Sequence, residues 1–165
     1  MKYQKLSKGQ AIVIVPDELH CYLSGQCIEC MVNSDNVVRC GLTPKFKDNA
    51  TLLNMMSYEM VTRGAYEGAI IEQRKDVQVV EYKSGYSEFR VLKICIEPGC
   101  ETYNMKLPCF CICILLGGHG EVDVEGQGRY DLQKYESHYI LPERKLTFSS
   151  SNGETLVLYV ATCDL

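Results

Sequence analysis

Residues 17–47 read DELHCYLSGQCIECMVNSDNVVRCGLTPKFK, and this stretch is denser in unusual residues than any other part of the chain. A histidine, acidic side chains, an arginine and lysines alternate there with apolar residues, on runs broken at Gly25, Gly41 and Pro44. Arg39 lies between two valines and a cysteine, and a charge among apolar neighbours needs a partner or a ligand. The pattern therefore predicts a site made of strand ends and a loop.

Several short motifs follow one another in a fixed order within this stretch. They are His20-Cys21-Tyr22, Ser24-Gly25, Glu29-Cys30-Met31-Val32, Ser34-Asp35-Asn36-Val37-Val38-Arg39, and Cys40-Gly41 followed by Leu42-Thr43-Pro44-Lys45-Phe46. Their order and residue identities resemble the second signature of type I phosphomannose isomerases. These enzymes are zinc-dependent and interconvert mannose 6-phosphate and fructose 6-phosphate. The resemblance is strong over residues 6–58 and loose over residues 77–161.

The resemblance implies a mainly β chain of the cupin or jelly-roll class, with one short helix. Residues 1–60 are expected to be the C-terminal part of a catalytic cupin that carries the signature motif. Residues 61–165 are expected to form a C-terminal jelly-roll domain, without a metal site of its own. The first half of the family's catalytic domain is not represented, so we expect a missing N-terminal half or self-association to cover the first domain.

Composition is that of an ordinary globular chain. The 165 residues are 46% hydrophobic and 23% charged, which suits a packed core. A net charge of −4 argues against a nucleic-acid partner, and no apolar run approaches membrane-spanning length. No basic and apolar leader opens the chain, and most of the ten cysteines lie in apolar runs, where reduced thiols behave as small hydrophobes. These features favour a cytoplasmic protein without structural disulfides.

Local patterns predict the elements around the site. The β-branched run at residues 11–15 favours a buried strand, with residues 27–32 as its partner. Residues 51–58 have helical spacing, and Asp48 or Asn49 can cap that helix. Residues 64–73 are weakly patterned and are interpreted as a connection.

The second half is a series of short strands separated by glycine, proline and serine turns, as in a sandwich or barrel. Tyr135 stands at a turn where glycine is preferred. The predicted strands are 77–82, 89–94, 109–116, 121–124, 138–141, 146–149 and 155–161.

His20 is the metal candidate. In the family this histidine ligates Zn²⁺, and the resemblance implies a glutamine, a second histidine and a glutamate as the other ligands. These ligands precede the region represented here, where residues 2–19 hold no histidine and only Glu18 as glutamate. A catalytic zinc site needs about three protein ligands and one open position.

Arg39 is the principal catalytic candidate, because the resemblance puts it at the sugar site. Moving a proton between adjacent sugar carbons passes through a cis-enediol, whose developing oxyanion is stabilised by fixed positive charge. A guanidinium stays charged and offers a rigid fork to pairs of oxygens. The alternative is a structural ion pair with Asp35 or Glu29.

Three further residues are site candidates. Glu29 is a catalytic acid or base if burial raises its pKa, or else an ion-pair partner that holds Arg39 or Lys45. Lys45 is a catalytic and substrate-binding candidate that would bind the phosphate. The alternative is that Lys45 and Lys47 form a solvated basic pair. Tyr22 stands where the family has a tyrosine that contacts the sugar.

The chain departs from the family pattern beside these residues. Leu19 replaces a proline, and Cys21, Val32 and Cys40 each replace an alanine, which adds volume near the site. The predicted function is mannose-6-phosphate isomerisation, which supplies GDP-mannose synthesis. The alternative is a non-catalytic cupin remnant that binds a sugar phosphate or a partner protein.

Overall fold

The computed structural model describes residues 2–58, 63–151 and 153–163. The chain divides into two compact units, Met1–Tyr66 and Glu67–Leu165. The boundary predicted at residue 60 lies outside the described residues.

Unit 1 contains little regular structure. It has β1 (Gln10–Ala11), helix α1 (Asn49–Met55) and the first residue of β2 (Tyr66–Glu67), and β1 and β2 form a two-stranded sheet. The predicted helix is confirmed. Asp48 is its N-cap, and the Asp48 carboxylate accepts hydrogen bonds from the Thr51 amide at 3.0 Å and the Thr51 hydroxyl at 2.7 Å.

The two strands predicted in unit 1 are wrong. Of the strand predicted at residues 11–15, only Ala11 lies in a strand, which is β1 (Gln10–Ala11). Residues 27–32 form no strand. A β-branched run favours extended backbone, but a strand also needs a neighbour for its N–H and C=O groups. Within the described residues, the two runs do not pair with each other.

Unit 2 is built from antiparallel strands. After β2 they are β3 (Ala69–Gln73), β4 (Val77–Lys83), β5 (Arg90–Ile96), β6 (Tyr103–Lys106), β7 (Cys111–Gly117), β8 (His119–Val124), β9 (Gly128–Leu132), β10 (Ser137–Ile140), β11 (Lys145–Ser151) and β12 (Leu156–Thr162). One sheet has the order β10-β7-β12-β5-β4-β3 and the other β6-β11-β8-β9. The predicted mainly β jelly-roll class with one short helix is confirmed.

Strand alternation places the core between the two sheets. In β12, Leu156, Leu158 and Val160 are fully buried, whereas the residues between them are only half-buried. Phe148 of β11 is also inaccessible, and its ring stacks on the ring of Tyr103 with centroids 6.5 Å apart. These side chains belong to a single cluster to which both sheets contribute.

All seven strands predicted in the second half are present, with ends that differ by up to two residues. The strands β3, β6 and β9 were not predicted. Tyr135 has φ 71°, in the left-handed region that glycine adopts more easily, so the predicted preference for glycine at this turn is confirmed. In the part of the chain that the structure describes, no helix has both the length and the apolar character to cross a membrane.

Replacing Phe148 tests the importance of this core. Phe148→Ala removes a fully buried ring and should lower the free energy of unfolding by about 3–5 kcal/mol. Phe110→Ala is a matched control, because the Phe110 side chain is 45% exposed and should lose less than half as much. Urea unfolding followed by circular dichroism measures both, and equal losses would contradict a core centred on Phe148.

Candidate functional site

Three of the predicted site residues lie together in unit 1. The Tyr22 hydroxyl donates a hydrogen bond to Glu29 Oε1 at 2.9 Å. The His20 ring meets the Tyr22 ring edge-on, with centroids 5.7 Å apart. All three side chains are exposed, so His20, Tyr22 and Glu29 form a polar cluster at the surface of the unit.

The His20 ring is oriented by a backbone group. Its Nδ1 lies 2.8 Å from the carbonyl oxygen of Glu18. When Nδ1 carries the proton and donates it to this carbonyl, Nε2 keeps a free lone pair. Histidines that ligate metals commonly have this arrangement, with the second ring nitrogen bonded to a carbonyl.

Burial and Glu29 together change the acidity of Tyr22. Desolvation is the larger cause, and the hydrogen bond and negative charge of Glu29 add to it, raising the pKa of Tyr22 to about 12. The phenol is therefore protonated at neutral pH and serves as a hydrogen-bond donor. Sequence reasoning missed this contact, since the two residues lie on a segment without regular spacing.

Arg39 makes no hydrogen bond or ion pair with this cluster among the described residues. It is half-buried, and within the described residues its guanidinium forms no ion pair with Asp35 or Glu29. The preceding loop is closed by a hydrogen bond from the Ser34 hydroxyl to Asn36 Oδ1 at 2.6 Å. The structural alternative for Arg39, an ion pair with either carboxylate, is thus not observed there.

Lys45 lies on an exposed segment that follows Arg39. Its amide donates to the Thr43 hydroxyl at 3.2 Å, and its side chain has no ion-pair partner among the described residues. Leu42 has φ 34° and is 80% exposed, and Phe46 is 85% exposed. The segment thus presents both a free ammonium and bare apolar surface.

The described residues do not form a zinc site. No three histidine, cysteine, aspartate or glutamate side chains are grouped closely enough there to hold a metal ion. His20 can supply one nitrogen ligand, and a catalytic zinc requires about three protein ligands. Zn²⁺ therefore does not fit the described residues alone.

Comparison with known proteins finds relatives that share one printed name, mannose-6-phosphate isomerase. No protein-family model matches it. The mannose-6-phosphate isomerase of Aspergillus fumigatus is 30% identical over all of this chain and 38% of its own length, and mannose-6-phosphate isomerase 2 of Arabidopsis thaliana is 34% identical over 73% of this chain and 26% of its own. The chain belongs to the mannose-6-phosphate isomerase family. As predicted, it is similar to a C-terminal portion of these enzymes.

Within this mannose-6-phosphate isomerase family, one similarity is local and high. The enzyme of Emericella nidulans is 50% identical over 58 residues, which are 35% of this chain and 13% of the relative. The chain spans 38% of the length of one curated relative that it matches in full and 40% of the length of another.

Solved structures show similarity at the level of the fold. AerE from Microcystis aeruginosa aligns with a TM-score of 0.52 at 13% identity, over 59% of this chain and 46% of AerE. An RmlC-like cupin from Shewanella frigidimarina aligns with a TM-score of 0.47 at 16% identity, over 59% of this chain and 85% of the cupin. The fold of unit 2 is a jelly roll, in agreement with the AerE alignment and the two packed antiparallel sheets.

The Tyr22–Glu29 contact predicts a measurable titration. Glu29→Gln removes the negative charge, so the pKa of Tyr22 should fall from about 12 toward its ordinary 10.0. Because the folded-state pKa is raised, the stability linked to protonated Tyr22 is fully present below pH 10 and is lost as the pH rises through about 12, and Glu29 accounts for the smaller share of it. NMR of ¹³C-labelled tyrosine measures the shift, with Tyr22→Phe to assign the resonance. An unchanged Tyr22 titration in Glu29→Gln would contradict the contact.

Proposed function

We propose that this chain binds a sugar phosphate and takes part in the interconversion of mannose 6-phosphate and fructose 6-phosphate, as a portion of a mannose-6-phosphate isomerase. Membership of that family carries the proposal, together with a half-buried Arg39 that has no ion-pair partner in the described part of the chain. The product would feed GDP-mannose synthesis in the cytoplasm.

Arg39 would stabilise the developing oxyanion. In an aldose–ketose isomerisation, a base removes the proton from C2 of the aldose, and negative charge accumulates on the oxygen at C1. A guanidinium that is already positioned and not neutralised by a carboxylate can donate two hydrogen bonds to neighbouring oxygens. An arginine held in a structural ion pair would have less of its charge available for this task.

Glu29 would hold the proton that is transferred. Its Oε1 is occupied by the Tyr22 hydroxyl, whereas its Oε2 accepts no hydrogen bond within the described residues. Oε2 is therefore the atom available to take a proton from one sugar carbon and return it to the next. The Tyr22 hydroxyl fixes the orientation of this carboxylate.

Lys45 would bind the substrate phosphate. Its ammonium is exposed and has no carboxylate partner in the described segments, so it can approach a phosphate as a point charge. The exposed leucine and phenylalanine on either side of it, Leu42 and Phe46, are apolar surface that favours cover by more protein. We infer that this cover is a polypeptide equivalent to the rest of the family's catalytic domain, or a second copy of the chain.

A non-catalytic role is the second candidate. It is favoured by the absence of any three-ligand metal group among the described residues. In that case the chain would bind a sugar phosphate or a partner protein without converting it. His20 would then be one ligand of a site that other residues must complete.

Arg39→Ala tests sugar-phosphate binding directly. Loss of charge-assisted hydrogen bonds should weaken binding of fructose 6-phosphate by about 10- to 100-fold. Calorimetry measures the affinity, and Arg129→Ala is the control, because Arg129 is an exposed arginine of unit 2 that pairs with Glu121 at 3.4 Å. Equal affinity in wild type and Arg39→Ala would contradict the proposed role.

Turnover separates the two candidate functions. Conversion of mannose 6-phosphate that is lost in Arg39→Ala supports the isomerase, whereas Arg39-dependent binding without conversion supports the non-catalytic role. Failure to bind any sugar phosphate would contradict both sugar-phosphate proposals.

A further inference from the structure

Two cysteines meet at one end of the six-stranded sheet. Cys109 lies just before β7 begins at Cys111, and Cys163 follows directly after β12 ends at Thr162. The two strands are antiparallel neighbours, with Thr162 opposite Cys111. Continuing this register places residue 163 beside the segment that contains Cys109.

The contact is held by the backbone around it. The Thr162 hydroxyl donates a hydrogen bond to the carbonyl oxygen of Phe110 at 3.1 Å, which ties the end of β12 to the segment before β7. The thiol of Cys163 lies close enough to that of Cys109 to raise the pKa of Cys109. Continuing the register puts Cys163 opposite Phe110, one residue from Cys109, and a disulfide spans Cα separations of about 4.4–6.8 Å.

Both thiols are free, and both residues are half-buried rather than enclosed. By contrast, Cys111 and Cys113 are about 1% exposed, and burial raises their pKa values to about 11 and about 12. Thiolates are the reactive form, so the two core cysteines are shielded from reagents in two ways. The pair at the sheet end is the accessible one.

The local charges set the pH dependence of the pair. Burial raises the pKa of Cys109, the hydrogen bond and charge of Cys163 raise it further, and Arg90 opposes them. Arg90 lies opposite Thr162 on β5 and pairs with Glu81 at 2.7 Å, and Glu143 adds a small effect in the same direction as burial. The thiolate fraction, and with it the rate of exchange, therefore increases as the pH rises above neutrality.

We propose that Cys109 and Cys163 form a redox site that is converted between a dithiol and an intramolecular disulfide by a low-molecular-weight disulfide such as oxidised glutathione. One protein thiolate attacks a sulfur of the reagent, breaks its S–S bond and releases one glutathione thiolate. The second protein thiolate attacks the mixed disulfide and releases the other. The two protons of the cysteines pass to the two glutathione thiolates, so the protein loses two hydrogen atoms and the reagent is reduced to two thiols.

The new bond would close a chain segment of about 50 residues that contains β7 to β12. It would fix the end of β12 to the segment before β7, next to the hydrogen bond from the Thr162 hydroxyl to the Phe110 carbonyl oxygen. A constraint of this length should raise the thermal unfolding midpoint by about 10 °C. This site is independent of the proposed isomerase function.

Peptide mapping of the full chain tests the proposal. The reduced protein is equilibrated with mixtures of reduced and oxidised glutathione, quenched with acid, alkylated, digested and analysed by mass spectrometry. We expect a cross-linked peptide pair that contains Cys109 and Cys163, with the loss of two hydrogen atoms and without glutathione on either residue. Two reduced cysteines, glutathione on both, or bonds to other cysteines would each overturn the proposal.

Variants provide the matched comparison. Cys163→Ser should leave glutathione on Cys109 and abolish the rise in the thermal midpoint upon oxidation. Cys95→Ser is the control, because Cys95 is also a half-buried free thiol of unit 2, and it should keep both the cross-link and the rise. Because the mapping is done on the wild-type chain, the proposal is testable even if a variant fails to fold.

Discussion

The packing of two antiparallel sheets against each other is the interaction on which unit 2 depends. Ile94, Leu115, Phe148 and Leu158 are inaccessible to solvent and come from both sheets. Removing apolar surface of this kind from water is the main favourable contribution to folding. The antiparallel ladders then follow, since the buried backbone groups must be hydrogen-bonded.

Unit 1 has no comparable core, because every buried residue of the described chain lies in unit 2. Unit 1 is organised by hydrogen bonds between residues that are close in sequence. Examples are the Asp48 cap, the bond from Tyr22 to Glu29 and the contact of His20 with the Glu18 carbonyl. The candidate site residues are therefore in the part of the chain with the least buried surface. A site of this kind needs cover from further protein before it can exclude water, which agrees with a chain that matches only part of its relatives.

The strands predicted best from sequence were those with apolar alternation or continuous apolar runs, such as β5, β7 and β12. Among the missed strands, β9 lacks that signal, because its GRYDL sequence lies at a sheet edge and has only Leu132 buried. The strand predicted for the apolar run at residues 11–15 was wrong. Composition indicates a preference for extended backbone, but it does not indicate whether a second strand is available to pair with the run.

The order of the motifs indicates the candidate site residues, but it did not predict the contacts among them. The hydrogen bond between Tyr22 and Glu29 joins residues on a segment without helix or strand, where no periodicity relates spacing to contact. The thiol pair of Cys109 and Cys163 was equally hidden, because it depends on the pairing of β7 with β12, which lie far apart in sequence.

Zinc content tests most directly the claim that the described residues, His20 included, do not complete a metal site. Reduced wild-type protein and His20→Ala are washed with chelator, equilibrated with Zn²⁺ and analysed for metal per chain. We expect the same zinc content in both, because thiols elsewhere bind equally in each and no three-ligand group exists among the described residues. About one zinc per chain that is lost in His20→Ala would contradict this claim.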